Sequence, residues 1–184
     1  PGTHASDASH PSDVARLLAD TRPDVVVIAS ALADADACEL APDKSYAQNV
    51  AAPRNFVERL APAVRLVYFS TDYVFDGALA QVVETSPTRP LNVYGQHKRE
   101  AERILLERPN TLIVRTASLF GIEARRKNFL YRVVDAVLAR KPLVVDGTQW
   151  GAPTSSSWLV AQTQACLSAG LTGVVHIAGD EVLS

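Results

Sequence analysis

Tyr94 and Lys98 stand four residues apart in the segment Tyr94-Gly95-Gln96-His97-Lys98-Arg99-Glu100-Ala101-Glu102. On an α-helix of ~3.6 residues per turn, that spacing puts a phenol and an ammonium on one face. A phenol with an ordinary pKa of ~10 is a poor acid at neutral pH, and a cation within a few Å pulls it down by favouring the phenolate. The pair is therefore a candidate proton donor: Tyr94 protonates a carbonyl oxygen while hydride reaches the carbon, or runs the reverse. The plain alternative is a half-buried Tyr beside a solvated Lys on an amphipathic helix. Composition adds weight to the chemical reading. Of the 18 basic residues 14 are Arg, and Lys occurs only at 44, 98, 127 and 141. Where this chain needs a generic cation it places Arg, and a compact ammonium with three rotatable donors is a different tool.

A second polar cluster, Thr71-Asp72-Tyr73-Val74-Phe75-Asp76-Gly77, follows the apolar run Val64–Ser70. Either it is an ordinary Asp/Gly turn or its side chains face a ligand. The stretch from Gly77 to Leu91, with Glu84, Pro87 and Pro90, is long for a connection in a compact domain, and long loops are commonly functional.

These residues need a scaffold, and the periodicity supplies one. Ser12 is placed to cap a helix carrying Val14, Leu17 and Leu18. Asp24–Ala29 is a continuous apolar run, as in a strand covered on both faces. A helical region from about Pro42 to Leu60, kinked or restarted at Pro53, leads into the strand 64–70. The Tyr94 helix ends before Pro109 and gives way to a strand at Thr111–Arg115. A helix over Phe129–Ala139, a strand at Leu143–Val145, a helix over Trp158–Leu167 and a strand at Val174–Ile177 complete the series. Strands alternating with helices imply an α/β fold built on a parallel sheet. In such sheets ligands lie beyond the carboxyl ends of the strands, here the loops after Ile28, Ser70 and Arg115.

With 184 residues, 47% hydrophobic, 21% charged and a net charge of −2, the chain has enough apolar matter for a full core. Scattered rather than clustered cations argue against a nucleic-acid groove. No apolar run reaches the ~18 residues needed to span a bilayer, and no signal peptide opens the chain, which points to a cytoplasmic enzyme or binding protein. Cys38 and Cys166 lack metal spacing and are expected to be reduced thiols. His4, His10, His97 and His176 form no metal pattern; His97 is expected to face solvent and His176 to sit in a strand. Ser155, Ser156 and Ser157 suit the N-cap of the Trp158 helix. Arg125-Arg126-Lys127 is a solvated turn or a contact to a diphosphate, and Glu84 is a loop acid or a support for the substrate loop.

The ordered series Ser70–Gly77, Glu84-Thr85, Pro87, Pro90-Leu91-Asn92-Val93-Tyr94-Gly95 and Lys98 resembles the dTDP-4-dehydrorhamnose reductase family of extended short-chain dehydrogenases/reductases. Pro23–Ala29, Asn49, Asn128-Phe129 and Gly147–Thr154 extend that resemblance over nearly the whole chain. It implies a Rossmann-type doubly wound sheet, a dinucleotide-binding domain over 1–120 and a mainly substrate-binding portion over 121–184. It implies further that Tyr94 is the proton donor, that Lys98 holds the nicotinamide ribose and depresses the Tyr94 pKa, and that Thr71 hydrogen-bonds the sugar oxygen. Asp7 matches a position near the adenine, or else is a turn acid before a helix. Ala29, Ser30 and Ala31 match backbone lining the cofactor, with Asn49 among the cofactor residues. Asp72, Tyr73, Asn128 and Trp150 fall where the sugar nucleotide would lie.

Two departures stand beside these matches. Pro1-Gly2-Thr3-His4 carries no glycine-rich phosphate turn, and the chain stops at Ser184 where the family continues, so the sequence is expected to be incomplete at both ends. Ser118 stands where the reductases carry a large aromatic. The implied activity is NADPH-dependent reduction of the 4-keto group of a nucleotide-linked 6-deoxyhexose, with NADH a possible substitute. An NAD-dependent nucleotide-sugar epimerase or dehydratase is one alternative. A non-catalytic NADP-binding subunit, like the methionine adenosyltransferase beta subunit, is another. A nucleotide sugar is the expected partner, with neither nucleic acid nor membrane, and a homodimer is one assembly open to the chain.

Overall fold

The computed structural model describes residues 6–124, 126, 128–145, 147 and 150–183. Pro1–His4, Arg125, Lys127, Thr148 and Gln149, which figured in the readings above, lie outside the described residues. The chain divides into two compact units, one formed by Pro1–Val114 with Thr172–Val175, the other by Arg115–Leu171 with His176–Ser184.

The first unit starts with α1 (Pro11–Thr21). Its N-cap is His10 with no side-chain cap bond, so Ser12 does not cap it; Pro11 opens the helix instead, its fixed φ already helical and its missing N–H one that would have no partner. Strand β1 (Val25–Ile28) pairs in parallel with β2 (Arg65–Thr71), Val25 opposite Arg65 and Ile28 opposite Tyr68. The sheet order is β1-β2-β3-β6, with β3 at Thr111–Thr116 and β6 at Gly173–His176. The fold is α/β with a parallel, Rossmann-like sheet. All six residues of β3 are buried, as expected inside a sheet. β1 departs from the double-sided cover expected of it: this edge strand is covered on one face and open on the other. Val26 and Ile28 face the core, while Val25 and Val27 are 41% and 51% exposed.

Between β1 and β2 run α2 (Ala35–Leu40), α3 (Pro42–Tyr46), one π-helical turn (Ala47–Ala51) and α4 (Ala52–Val57). The interruption expected at Pro53 takes the form of that wide turn. Proline lacks the N–H that an α-helix would use and crowds the carbonyl four residues back, and a π turn relieves both by adding a residue to the loop of backbone. After β2 and a 3-10 turn (Asp72–Val74), α5 (Val93–Leu105) carries the Tyr94 segment. Val14, Ile28, Phe56, Leu60, Leu66, Tyr68, Ala101, Leu105 and Ile113 form the core of this unit. Arg108 pins the end of the α5 region to the chain before β2, donating to the carbonyls of Leu60, Ala61 and Val64.

The second unit contains β4 (Leu119–Phe120), α6 (Phe129–Ala139), β5 (Thr154–Ser155) and α7 (Ser156–Ser168). β4 and β5 pair in parallel, and Gly151 bridges Leu183. The strand expected at Leu143–Val145 does not form. Its β-branched residues have no ladder partner among the described residues, and Val144 is 90% exposed. α7 begins beside Ser155 as expected, although the Ser155 hydroxyl bonds Ser157 Oγ at 2.8 Å rather than a backbone N–H. Among the described residues, no helix is long and apolar enough to cross a membrane.

Candidate active site

Tyr94 and Lys98 occupy the first and second turns of α5 and both point inward, 7% and 2% exposed. The start of that helix is fixed in three ways. Asn92 caps it, its Oδ1 accepting the Gly95 N–H at 2.7 Å. Glu39 of α2 accepts the Val93 N–H at 2.7 Å, satisfying a second orphan donor. Gly95 lies so close to the Tyr73 carbonyl that a Cβ there would stand 2.2 Å from its oxygen. Glu39 gives no local sequence signal of this role, because it acts 54 residues along the chain.

Thr71, at the carboxyl end of β2, caps the 3-10 turn through the Tyr73 N–H at 3.2 Å and donates to Asp72 Oδ1 at 3.1 Å. The Tyr73 ring meets Tyr94 edge-on with centroids 5.8 Å apart. Thr71, Asp72, Tyr73, Tyr94 and Lys98 thus gather at the carboxyl end of β2, on the first unit alone.

The depression of the Tyr94 pKa expected from Lys98 is not what the side chains produce. Burial dominates and pushes Tyr94 up to about 12, with a hydrogen bond to Thr71 pulling the other way. Lys98 itself is pushed down to about 7 by burial, the Glu102 carboxylate opposing. Spacing revealed the proximity of the pair but not the hydration that each loses. The Lys98 ammonium donates to the Phe69 carbonyl at 2.6 Å and lies 3.9 Å from the centroid of the Tyr68 ring.

This has a measurable consequence for stability. Between the folded value of about 7 and the ordinary 10.5, the unfolded chain holds a proton on Lys98 that the folded chain has released, so stability rises with pH across that window. Below the window Lys98 is charged in both states, and its burial costs a few kcal/mol. A Lys98→Met variant lacks this dependence. Its excess in urea midpoint over the parent is expected to be largest near pH 7 and to shrink steadily toward pH 10.5. An excess constant over that range would mean that Lys98 titrates near its ordinary value.

The loop after β1 is exposed at Ala29, Ser30 and Ala31 and anchored just beyond, at Leu32. Asn49, buried in the π turn, accepts the Leu32 N–H at 2.9 Å and donates to the Leu32 carbonyl at 3.0 Å. Its side chain is thus committed to holding the loop. Ser45 Oγ receives the Asn49 amide at 3.1 Å and lies 2.8 Å from His97 Nδ1. His97 is therefore not simply a solvent-facing residue: it bridges α5 to α3, its ring edge-on to Tyr46, and partial burial lowers its pKa. Cys38 is buried, with its thiol 3.3 Å from the Leu32 carbonyl.

Asp7 is exposed and accepts from the Ser9 N–H and hydroxyl at 2.9 and 2.7 Å, which lowers its pKa. That is the geometry of a turn acid ahead of α1. In the second unit Asn128 caps α6 through the Tyr131 N–H and donates to the Gly121 carbonyl at 2.8 Å, while Trp150 is 72% exposed. His176 lies in β6 with Nε2 3.5 Å from an Arg115 nitrogen. A cavity of about 520 Å³ lined by Leu18, Arg22, Leu60 and Val64 opens at the amino ends of β1 and β2, away from these groups.

Comparison with known proteins agrees with the motifs. The model of the family described as RmlD substrate binding domain matches residues 1–184. A dTDP-4-dehydrorhamnose reductase of Burkholderia thailandensis is 37% identical over 156 residues, covering 81% of this chain and 50% of the relative. One from Salmonella typhimurium is 34% identical, covering 93% and 59%. Among solved structures, a Bacillus anthracis dTDP-4-dehydrorhamnose reductase in complex with NADP aligns with a TM-score of 0.91 at 27% identity, covering 97% of this chain and 64% of that one. A Clostridium acetobutylicum dTDP-4-dehydrorhamnose reductase gives 0.88 at 28%, with the same coverage. The chain spans about 50 to 60% of the length of these curated relatives. With residues 1–184 matched by the family model and relatives more than 30% identical over most of the chain, the chain belongs to the RmlD substrate binding domain family.

Proposed function

We propose that the intact protein reduces the 4-keto group of a nucleotide-linked 6-deoxyhexose, with NADPH as the hydride source. The observation that carries this reading is the inward pairing of Tyr94 and Lys98 beside Thr71, at the carboxyl end of a parallel strand. The names of the relatives support the substrate class. The residues also suit a dinucleotide. Loop 29–31 presents exposed backbone at the strand end, and Lys98 makes one hydrogen bond through Nζ among the described residues, leaving donors for a ribose diol. When bound, the nicotinamide supplies the hydride.

The chain's own groups supply the rest. Thr71 turns its one hydroxyl proton, given to Asp72 at rest, toward the carbonyl oxygen and orients it. Tyr94 gives that oxygen its phenolic proton as negative charge develops there. A phenol held at about 12 by burial remains protonated until it acts. The Lys98 charge then stabilises the phenolate that forms, so its influence is exerted in the transition state rather than at rest. Asp72 and Tyr73 are the nearby candidates for contacts to the sugar; Asn128 and Trp150 are candidates by motif resemblance alone. Asp7, Ala29–Ala31 and Asn49 remain the candidates for the cofactor side, Asn49 by shaping the loop.

The test is to mix the full-length gene product with NADPH and dTDP-4-keto-6-deoxy sugars and follow the nicotinamide absorbance. Oxidation dependent on the keto sugar is expected. Its absence across a panel of 4-keto nucleotide sugars, with the protein folded, rejects the activity.

A further inference from the structure

A buried ammonium is costly unless something compensates its lost hydration, and the compensation around Lys98 is unusual. Its direct hydrogen bond is to a neutral acceptor, the Phe69 carbonyl at 2.6 Å. Glu102, one turn along α5 and fully buried, attracts it but is itself paired with Arg99 at 3.5 Å. The remaining wall is the ring of Tyr68, 1% exposed, with the ammonium 3.9 Å from its centroid. That ring is rigidly seated. Tyr68 packs with Ile28, Phe56, Ala101, Leu105 and Ile113, and its hydroxyl points to the Asn49 carbonyl at 3.5 Å. Burial, with Tyr94 and Glu102 nearby, keeps its phenol protonated, so the face under Lys98 stays neutral.

We propose that Tyr68 is a positioning residue for Lys98: its ring face, together with the Phe69 carbonyl, holds the ammonium in place without cancelling its charge. A carboxylate at this position would bind the cation more strongly but would also neutralise the positive potential that Tyr94 needs as it loses its proton. A ring quadrupole attracts the cation and adds no net charge. An aliphatic residue would suit the same buried strand position and would leave the cation with less support. Among the described residues, the groups around Lys98 and the Tyr68 ring are Glu102 and Tyr94 from α5, the Phe69 carbonyl from β2 and, at the Tyr68 hydroxyl, the Asn49 backbone. The proposal rests on the reductase reading for its catalytic consequence, whereas the contact is measurable without turnover.

The experiment uses the full-length protein with lysine labelled by 13C at Cε, the Lys98 resonance being assigned through a Lys98→Arg variant. Tyr68→Phe keeps the ring and is expected to titrate Lys98 as the parent does. Tyr68→Leu is expected to lower the Lys98 pKa by about one pH unit. Pentafluorophenylalanine at 68 keeps the shape but inverts the quadrupole, and is expected to lower it at least as far. This second variant serves if the Leu protein fails to fold. In turnover, the alkaline limb of the kcat/KM profile should move to lower pH by the same amount in Leu and pentafluoro variants and stay in place in Phe. Unchanged Lys98 titration in the pentafluoro variant overturns the proposal, as does a Phe variant shifted as far as Leu. If the parent turns over no keto sugar, the reductase reading fails alone, and the titration still decides the contact.

Discussion

Tyr94→Phe in the full-length enzyme is expected to lower kcat by about 10²- to 10⁴-fold with KM little changed, the range that loss of a positioned general acid produces. The substitution removes one oxygen and leaves the ring that meets Tyr73 edge-on and fills the α5 face. Folding should therefore survive, with the urea midpoint and circular dichroism close to those of the parent. Thr71 keeps its bonds to the Tyr73 N–H and to Asp72. Steady-state kinetics at saturating NADPH give the reading. A variant within tenfold of the parent would place the acid elsewhere and leave Tyr94 as packing, whereas a non-catalytic subunit would show no turnover in either protein.

Gly95→Ala is the structural counterpart, with the second largest expected effect. The glycine is an ordinary helical residue; its requirement comes from space. The new methyl would stand 2.2 Å from the Tyr73 oxygen and 3.0 Å from the Pro90 side chain, against backbone that is tied to Thr71 and to β2. Neither neighbour can give way without moving the 3-10 turn or the start of α5. Overpacking of this kind costs about 1–3 kcal/mol, enough to lower the urea midpoint by about 1 M. Activity should fall more than stability alone explains, because the displaced helix turn is the one that carries Tyr94. Chemical denaturation with parallel kinetics tests this. An alanine variant as stable and active as the parent would show that the close approach is relieved cheaply.

What the sequence revealed and what it concealed divide along a physical line. The shared face of Tyr94 and Lys98 followed from four-residue spacing, and the position of Thr71 followed from the apolar run ending at Ser70, because both are local consequences of backbone geometry. The sheet followed from alternation of apolar runs with helical segments. The environment of the pair was hidden because distant residues make it: Tyr68 and Phe69 from β2, and Glu39 from α2. The direction of the Tyr94 pKa was misread for the same reason, since spacing says nothing about lost water. Leu143–Val145 has strand composition and no strand beside it, which shows that a β-branched run without a ladder partner remains a loop. Val25 and Val27 do find a partner strand, but the face they occupy is open, which an apolar run alone does not reveal. The Pro53 interruption was legible as a position but not as a π turn, whose width depends on what Asn49 must reach.

That wide turn also preserves a phase. A π-helix advances roughly 80° per residue and an α-helix roughly 100°, so the five residues of Ala47–Ala51 sweep about the same angle as four α-helical ones and the flanking helices keep their phase. Removing one residue would leave that phase intact but close the widened loop from which Asn49 clasps Leu32, with Phe56 still seated in the core. The extra residue thus serves the clasp on the loop after β1 without disturbing the packing of α4. Length in this stretch should be far less negotiable than the identity of its alanines.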